Sequence, residues 1–305
     1  MRLTDGMEPV RPAPRIYRWS VPTVKDGQRY LFFVLACVAA LTLAVPARGA
    51  DATFNRDLTV SGRVQLTVST GSGTIHLIPG AAGHVRIYGR VRTFWGGNEA
   101  EVSEITEHPP IEQTGNIVRI GERHEHLRNI AIDYEIEAPA NSFLDASTGS
   151  GSIHDDGVGA DALLSTGSGG IHATGLVGGY SASTGSGSIY AESTGDGDVK
   201  AETGSGTIEL HGVHGALKAT TGSGSVKVEG MPAGPWHLET GSGGVDVSTS
   251  GAAFMLDAST GSGSIRCDAE IAGHLGSDKH HITGRVNGGG PLVRIETGSG
   301  SIHVH

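Results

Sequence analysis

The chain has 305 residues, 49 of them glycine, with only 5% aromatic and 18% charged residues. That glycine share is more than twice the usual and excludes a coiled coil or a conventional helical enzyme. The regular spacing, with aliphatics between the glycines, excludes disorder, and the missing Gly-X-Y triplet excludes collagen. The net charge of −10 divides into about +3 over residues 1–47 and −13 over the rest, an acidic body without the basic stripe that nucleic-acid binding needs.

The first element is an address. Leu31 to Val45 is an uncharged, mostly apolar run preceded by Lys25 and Arg29 and followed by the small residues around Ala47 to Ala52. This is the layout of a secretory signal, and it is shorter than the roughly 20 residues that span a bilayer. Residues 1–50 are read as a signal peptide, with an inner-membrane anchor through residues 31–45 as the alternative. The expected location is the periplasm, the cell surface or the medium, with membrane contact only through this segment if it is uncleaved. A processed chain keeps Cys267 and loses Cys37, so it has no internal disulfide.

Residues 53–146 read as a β-rich part with a small insertion. Phe54 to Thr70 holds the first strands, Glu99 to His108 a short helix stopped by Pro109-Pro110, and Ile117 to Ile120 and Ile130 to Ile136 two more strands.

From there one repeat organises the chain. Thr-Gly-Ser-Gly begins at Thr70, Thr148, Thr166, Thr184, Thr203, Thr221, Thr240, Thr260 and Thr297, and from Thr148 the gaps are 18, 18, 19, 18, 19, 20 and 37. The last gap reads as two turns, with a decayed copy near Gly276-Ser277. Counting the motif Thr as zero, positions −4, −2, +5 and +7 are mostly small or aliphatic. Position +6 is polar: His154, His172, Tyr190, Glu209, Lys227, Asp246, Arg266, His303. Period two over so few residues is a half-buried strand, with the apolar positions inward and +6 outward. The glycines are expected to supply positive-φ corners, and the inward Thr hydroxyl to bond corner backbone. Short strand pairs cannot bury their own face, so the turns must stack. The fold class is all-β: residues 147–305 form a β-solenoid of about 18–19 residues per turn, continuous with the part before it.

The residues that carry a family likeness are the TGSGSI and TGSGTI strings, Pro109-Pro110-Ile111-Glu112-Gln113, and Gly284-Arg285-Val286-Asn287-Gly288-Gly289-Gly290 before the last repeat. Over about residues 53–305 the chain resembles a bacterial exported putative-adhesin family, a domain of unknown function built from TGSG-repeat β-solenoids and similar to head-domain autotransporter adhesins. The resemblance implies a β-solenoid, export, and no catalytic motif.

Four features bear on chemistry. The recurring Ser and Thr lack a singled-out base and orienting group, so they read as corner structure rather than nucleophiles. His76, His154, His172 and His303 share position +6, with His154 and His172 expected about 4.8 Å apart. His280-His281 and His303-Val304-His305 add further imidazoles, but the remaining ligands of a closed zinc site are not visible. Thr194-Gly195-Asp196-Gly197-Asp198 offers too few oxygens for calcium. Asp155 occupies the inward +7 position beside Asp156 and His154, and a bulge is expected to turn it outward. No catalytic, cofactor-binding or metal residue is therefore assigned, and no cofactor. The function read from the sequence is an exported, non-enzymatic, structural or adhesin-like module, with a cell-surface glycan or an envelope or matrix protein as partner. The alternatives are a polysaccharide-acting enzyme on a β-helix and an envelope-sensing or assembly partner.

Overall fold

The computed structural model describes residues 51–94, 99–121, 129–272 and 277–305. The apolar run at 31–45, Trp95 and Gly276 lie outside the described residues.

Alternation decides everything in the repeat region. Each turn contributes one strand before its Thr-Gly-Ser-Gly and one after it, and the two join two long sheets facing each other across a narrow core. In one sheet Thr70, Thr148, Thr166, Thr184, Thr203, Thr221 and Thr240 align in parallel register. In the other, Ile75, Ile153, Ile171, Ile189, Ile208, Val226 and Val245 do the same. The inward residues are fully buried: Leu144 and Ala146, Leu217 and Ala219, Trp236 and Leu238, Ile208 and Leu210. Burying such a side chain stabilises the fold by about 1.5–3 kcal/mol for a Val, Leu or Ile. The chain is thus a β-solenoid, and the expected inward and outward parity is observed.

Three features differ from the sequence reading. First, the last gap is not two successive turns. Leu292–Ser299 pairs with Trp236–Ser242 on one side and Phe254–Ser262 on the other, and Ile302–Val304 lies between Val245–Ser248 and Ile265–Cys267. The final turn of the sequence is therefore inserted between two earlier ones. The strand His281–Val286 runs antiparallel to Phe254–Ser259 and covers that strand's edge.

Second, the motif glycines do not take positive φ; Gly263, at 159°, is the exception and is close to extended backbone. Apart from Gly71, where a Cβ would meet nothing, they are required by close approach. A Cβ on Gly206 would sit 2.1 Å from the carbonyl oxygen of Gly187 in the turn below, and a Cβ on Gly204 would sit 2.6 Å from that of Gly185.

Third, Asp155 is not bulged outward. It follows the strand parity, pairs in register with Leu77 and Ala173, and is fully buried.

The first turn, Gln65–Thr70 and Ile75–Pro79, stacks directly on Phe143–Thr148 and Ile153–Asp155. The residues before the first turn and those between it and Phe143 form a cap. Ala52–Thr59, His84–Thr93 and Ile130–Ala138 form an antiparallel set whose last strand pairs in parallel with Ile75–Pro79. Ile111–Thr114 and Ile117–Ile120 form a hairpin on the other sheet. The helix α1, Glu99–Glu107, buries Val102 and Ile105.

Candidate functional site

The outward +6 positions form one row across a sheet. In spatial order it runs His76, His154, His172, Tyr190, Glu209, Lys227, Asp246, His303, Arg266. Its position follows from backbone register alone, because each residue lies beside its counterpart one strand spacing, about 4.8 Å, away.

The row has two chemistries. At one end the rings stand side by side: His76 and His154 have centroids 6.2 Å apart, His154 and His172 6.1 Å, and His172 and Tyr190 are stacked at 4.7 Å. Partial burial, followed by the neighbouring His172 and His76 imidazoles, lowers the pKa of His154. His76 Nε2 lies 3.0 Å from Asp156. Beyond Tyr190 the row becomes ionic. Lys227 Nζ donates to Glu209 at 2.8 Å, and His211 lies between Glu209 and Glu229 at 3.1 and 3.0 Å. Hydrogen bonding to Lys227, then to His211, holds the Glu209 carboxyl below the usual range. The opposite sheet carries a second row, with Lys200, Lys218, His237 and Arg294 in register. Lys200, Lys218 and Arg294 pair with Glu202 and Glu296 at 2.7–3.2 Å, and His237 lies 3.7 Å from Glu239.

The other sequence candidates resolve one by one. The motif threonines are structural: Thr203 Oγ1 donates to Gly187 O at 2.8 Å, Thr221 to Gly206 at 3.0 Å and Thr240 to Gly224 at 2.8 Å. The expected bond to corner backbone is therefore present, and it crosses to the neighbouring turn. The aspartates of Thr194–Asp198 do not converge. Asp196 is exposed beside His214, while Asp198 Oδ1 accepts from the Ala216 amide at 2.9 Å. His281 lies 3.0 Å from Asp257. Asp155 Oδ1 accepts from the Gly157 and Val158 amides at 3.2 and 2.8 Å, its Oδ2 is buried without a partner, and burial pushes its pKa up to about 7.

One cluster joins Asp246 to the His303-Val304-His305 pair that the sequence offers. Asp246 meets His303 and His305, with one ligand atom from each lying within 4.8 Å of the others. Asp246 and His303 were visible as +6 residues, but only the inserted last turn makes them neighbours. The signal available in the sequence was the His-x-His spacing on a single strand.

A model of the Toastrack family, a domain of unknown function (DUF4097), matches residues 112–305. The chain belongs to this family. Solved structures related to this Toastrack chain include a putative cell adhesion protein from Clostridium sporogenes, 13% identical, covering 83% of this chain and 99% of that one at a TM-score of 0.27. A putative adhesin from Bacteroides fragilis is 13% identical over 85% and 99% at 0.28, and one from Parabacteroides distasonis 10% over 85% and 99% at 0.32. No functionally curated protein matches the chain. Among the described residues of this Toastrack protein, no helix is long and apolar enough to cross a membrane.

Proposed function

We propose that the protein is an exported, non-catalytic β-solenoid whose outward rows contact extended material of the cell envelope or a cell surface, a glycan or a matrix protein. The observation that carries this reading is the run His76, His154, His172 and Tyr190, four rings at successive strand positions on one sheet. Such a surface suits a repeating ligand, since each strand offers a ring face or edge and a hydrogen-bonding atom at a constant interval. Small-molecule and catalytic sites are typically concave, whereas this row lies on an open sheet face. The fully buried carboxyl, Asp155, points into the core rather than toward a substrate. Export to the periplasm, the surface or the medium is supported by the apolar run Leu31 to Val45 and the basic residues before it.

The test is an array of glycans and matrix proteins probed with the full chain. Binding should appear and should be lost in His172→Ala/Tyr190→Ala, while Lys218→Ala on the other sheet should retain it. No binding, or equal loss from Lys218→Ala, would overturn the assignment of this face. Fusing residues 1–55 to a reporter active only outside the cytoplasm tests export separately, and an inactive cytoplasmic reporter would refute it.

A further inference from the structure

We propose that Asp246, His303 and His305 form a binding site for a divalent transition-metal ion of the zinc type at the far end of the outer row. His303 and His305 lie on either side of the inward Val304, so both imidazoles project from the same face. Asp246 lies directly beside His303 on the neighbouring strand. The Asp246 carboxylate already bridges the two rings, with Oδ2 3.5 Å from His303 Nδ1 and Oδ1 3.2 Å from His305 Nε2. Zinc bonds nitrogen and carboxylate oxygen at about 2.0–2.2 Å in a tetrahedron, which places ligand atoms about 3.3 Å from one another. The two rings are stacked with centroids 4.9 Å apart and 24° between their planes, so converging on one ion requires the imidazoles to turn toward it, which their exposure allows.

An independent feature points the same way. The second ring nitrogen of His303, Nε2, lies 3.0 Å from Asp268 Oδ2, and Asp268 in turn accepts from Arg266 Nε at 2.9 Å. A histidine that ligates a metal usually donates its other N–H to a carboxylate, which fixes its tautomer and aims the free nitrogen at the ion. Here that arrangement leaves Nδ1 facing Asp246 and His305. Two imidazoles and a carboxylate suit zinc, copper or nickel; calcium would need six to eight oxygens. The three side chains are 38–44% exposed, which leaves room for a water or a ligand group in the fourth position. The donors and their support come from three stacked turns, 245–248, 302–305 and 265–268. A bound ion would therefore fasten the inserted final turn to 245–248 directly, while the His303–Asp268 bond braces it against 265–268.

The experiment titrates the untagged full chain with Zn²⁺ against a chromogenic chelator, with Co²⁺ as a visible probe of four-coordinate geometry. One equivalent should bind. Asp246→Asn, His303→Ala and His305→Gln should each weaken binding at least tenfold, and Asp268→Asn about 10–100-fold. His154→Ala/His172→Ala should leave binding unchanged, and Zn²⁺ should raise the melting temperature of the parent but not of His303→Ala. Far-UV spectra of the metal-free variants confirm that they are folded, as their exposed positions lead one to expect. Absence of one-equivalent binding, equal binding by a His303→Ala/His305→Ala double variant, or loss of binding with the His154/His172 pair would each overturn the site.

Discussion

Each turn of the solenoid bends twice, and the two bends are held by different means. At the Thr-Gly-Ser-Gly corner the spacing from Thr to the first inward aliphatic never changes: Thr166 to Ile171, Thr203 to Ile208, Thr240 to Val245. The corner backbones of adjacent turns come so close that a side chain will not fit between them, and each Thr hydroxyl bonds a carbonyl of the turn below. At the opposite corner the spacing varies, with Ala191 to Val199 one residue longer than Ala173 to Tyr180. There the contacts between turns differ from turn to turn, as where Asp198 Oδ1 accepts from the Ala216 amide and Gly212 lies against Ser193 O. Local devices are added: positive φ at Gly157, Gly175 and Gly212, register shifts after Ala173 and Leu210, and the Asp155 carboxyl accepting from amides of its own bend. All the irregularity of the repeat period is absorbed at this second corner. A corner held by one contact repeated from turn to turn allows one sequence, whereas a corner held by a changing mixture of contacts allows many.

The largest expected effect tests that contrast directly. Gly206→Ala places a methyl carbon 2.1 Å from the Gly187 carbonyl oxygen, a backbone atom that cannot move without parting two turns. A loss above about 4 kcal/mol is expected, in the exceptional range for single substitutions. Gly170→Ser is the control: its Cβ would lie 3.4 Å from Ser188 O, and Ser152 and Ser188 occupy the same place in neighbouring turns. It should stay within about 0.5 kcal/mol. Thermal melts of the two variants decide the matter. If they destabilise equally, close approach is not why the motif is strict.

The second effect belongs to the opposite corner and depends on pH. Asp155 titrates at about 7 in the folded chain, because burial disfavours its charge, against an ordinary 3.8 when unfolded. Between those values the folded chain keeps a proton that the unfolded chain has released. Its contribution therefore makes stability fall as pH rises from about 4 to about 7, and level off above. Roughly three pH units at about 1.4 kcal/mol each limit the effect to about 4 kcal/mol. Asp155→Asn keeps an acceptor for the Gly157 and Val158 amides and removes the titration. Its stability relative to the parent should grow across that window and then stay constant. Parallel denaturation profiles from pH 4 to 8 would show that the carboxyl is not held as the structure places it.

The same contrast separates what the sequence could reveal from what it could not. Strand parity was legible because one residue in two must face a narrow apolar core. The Leu144 and Ile208 columns and the row from His76 to His303 follow from that rule. The role of the motif glycines is not legible, because a positive φ and a crowded neighbour both select glycine and only the folded packing distinguishes them. Asp155 reads as outward because an acid at an apolar position suggests a bulge; its bonds to two local amides allow it to remain inside. The insertion of the final turn had no signature at all. Thr260 and Thr297 head nearly identical repeats, so pairing preference alone cannot say which of them stacks on Thr240. The cluster of Asp246, His303 and His305 was hidden for the same reason, since it exists only once the stacking order is known.

The smallest effect probes the Thr bond that joins one turn to the next. Thr203→Val preserves size and branching but replaces a hydroxyl that donates to Gly187 O at 2.8 Å with a methyl group. The carbonyl loses its side-chain donor, and the methyl must draw back from a distance suited only to a hydrogen bond. A loss of about 1–2 kcal/mol is expected, in line with a partly buried polar group left with one partner fewer. Thr203→Ser keeps the donor and should recover most of that loss, apart from the packing of one methyl group. By contrast, Glu209→Gln, on the exposed outer row, should cost under about 1 kcal/mol although it removes the charge opposite Lys227. Urea denaturation of the three variants ranks them. If Thr203→Val matches the parent while Glu209→Gln falls further, the outer row holds the turns together and the threonine column does not.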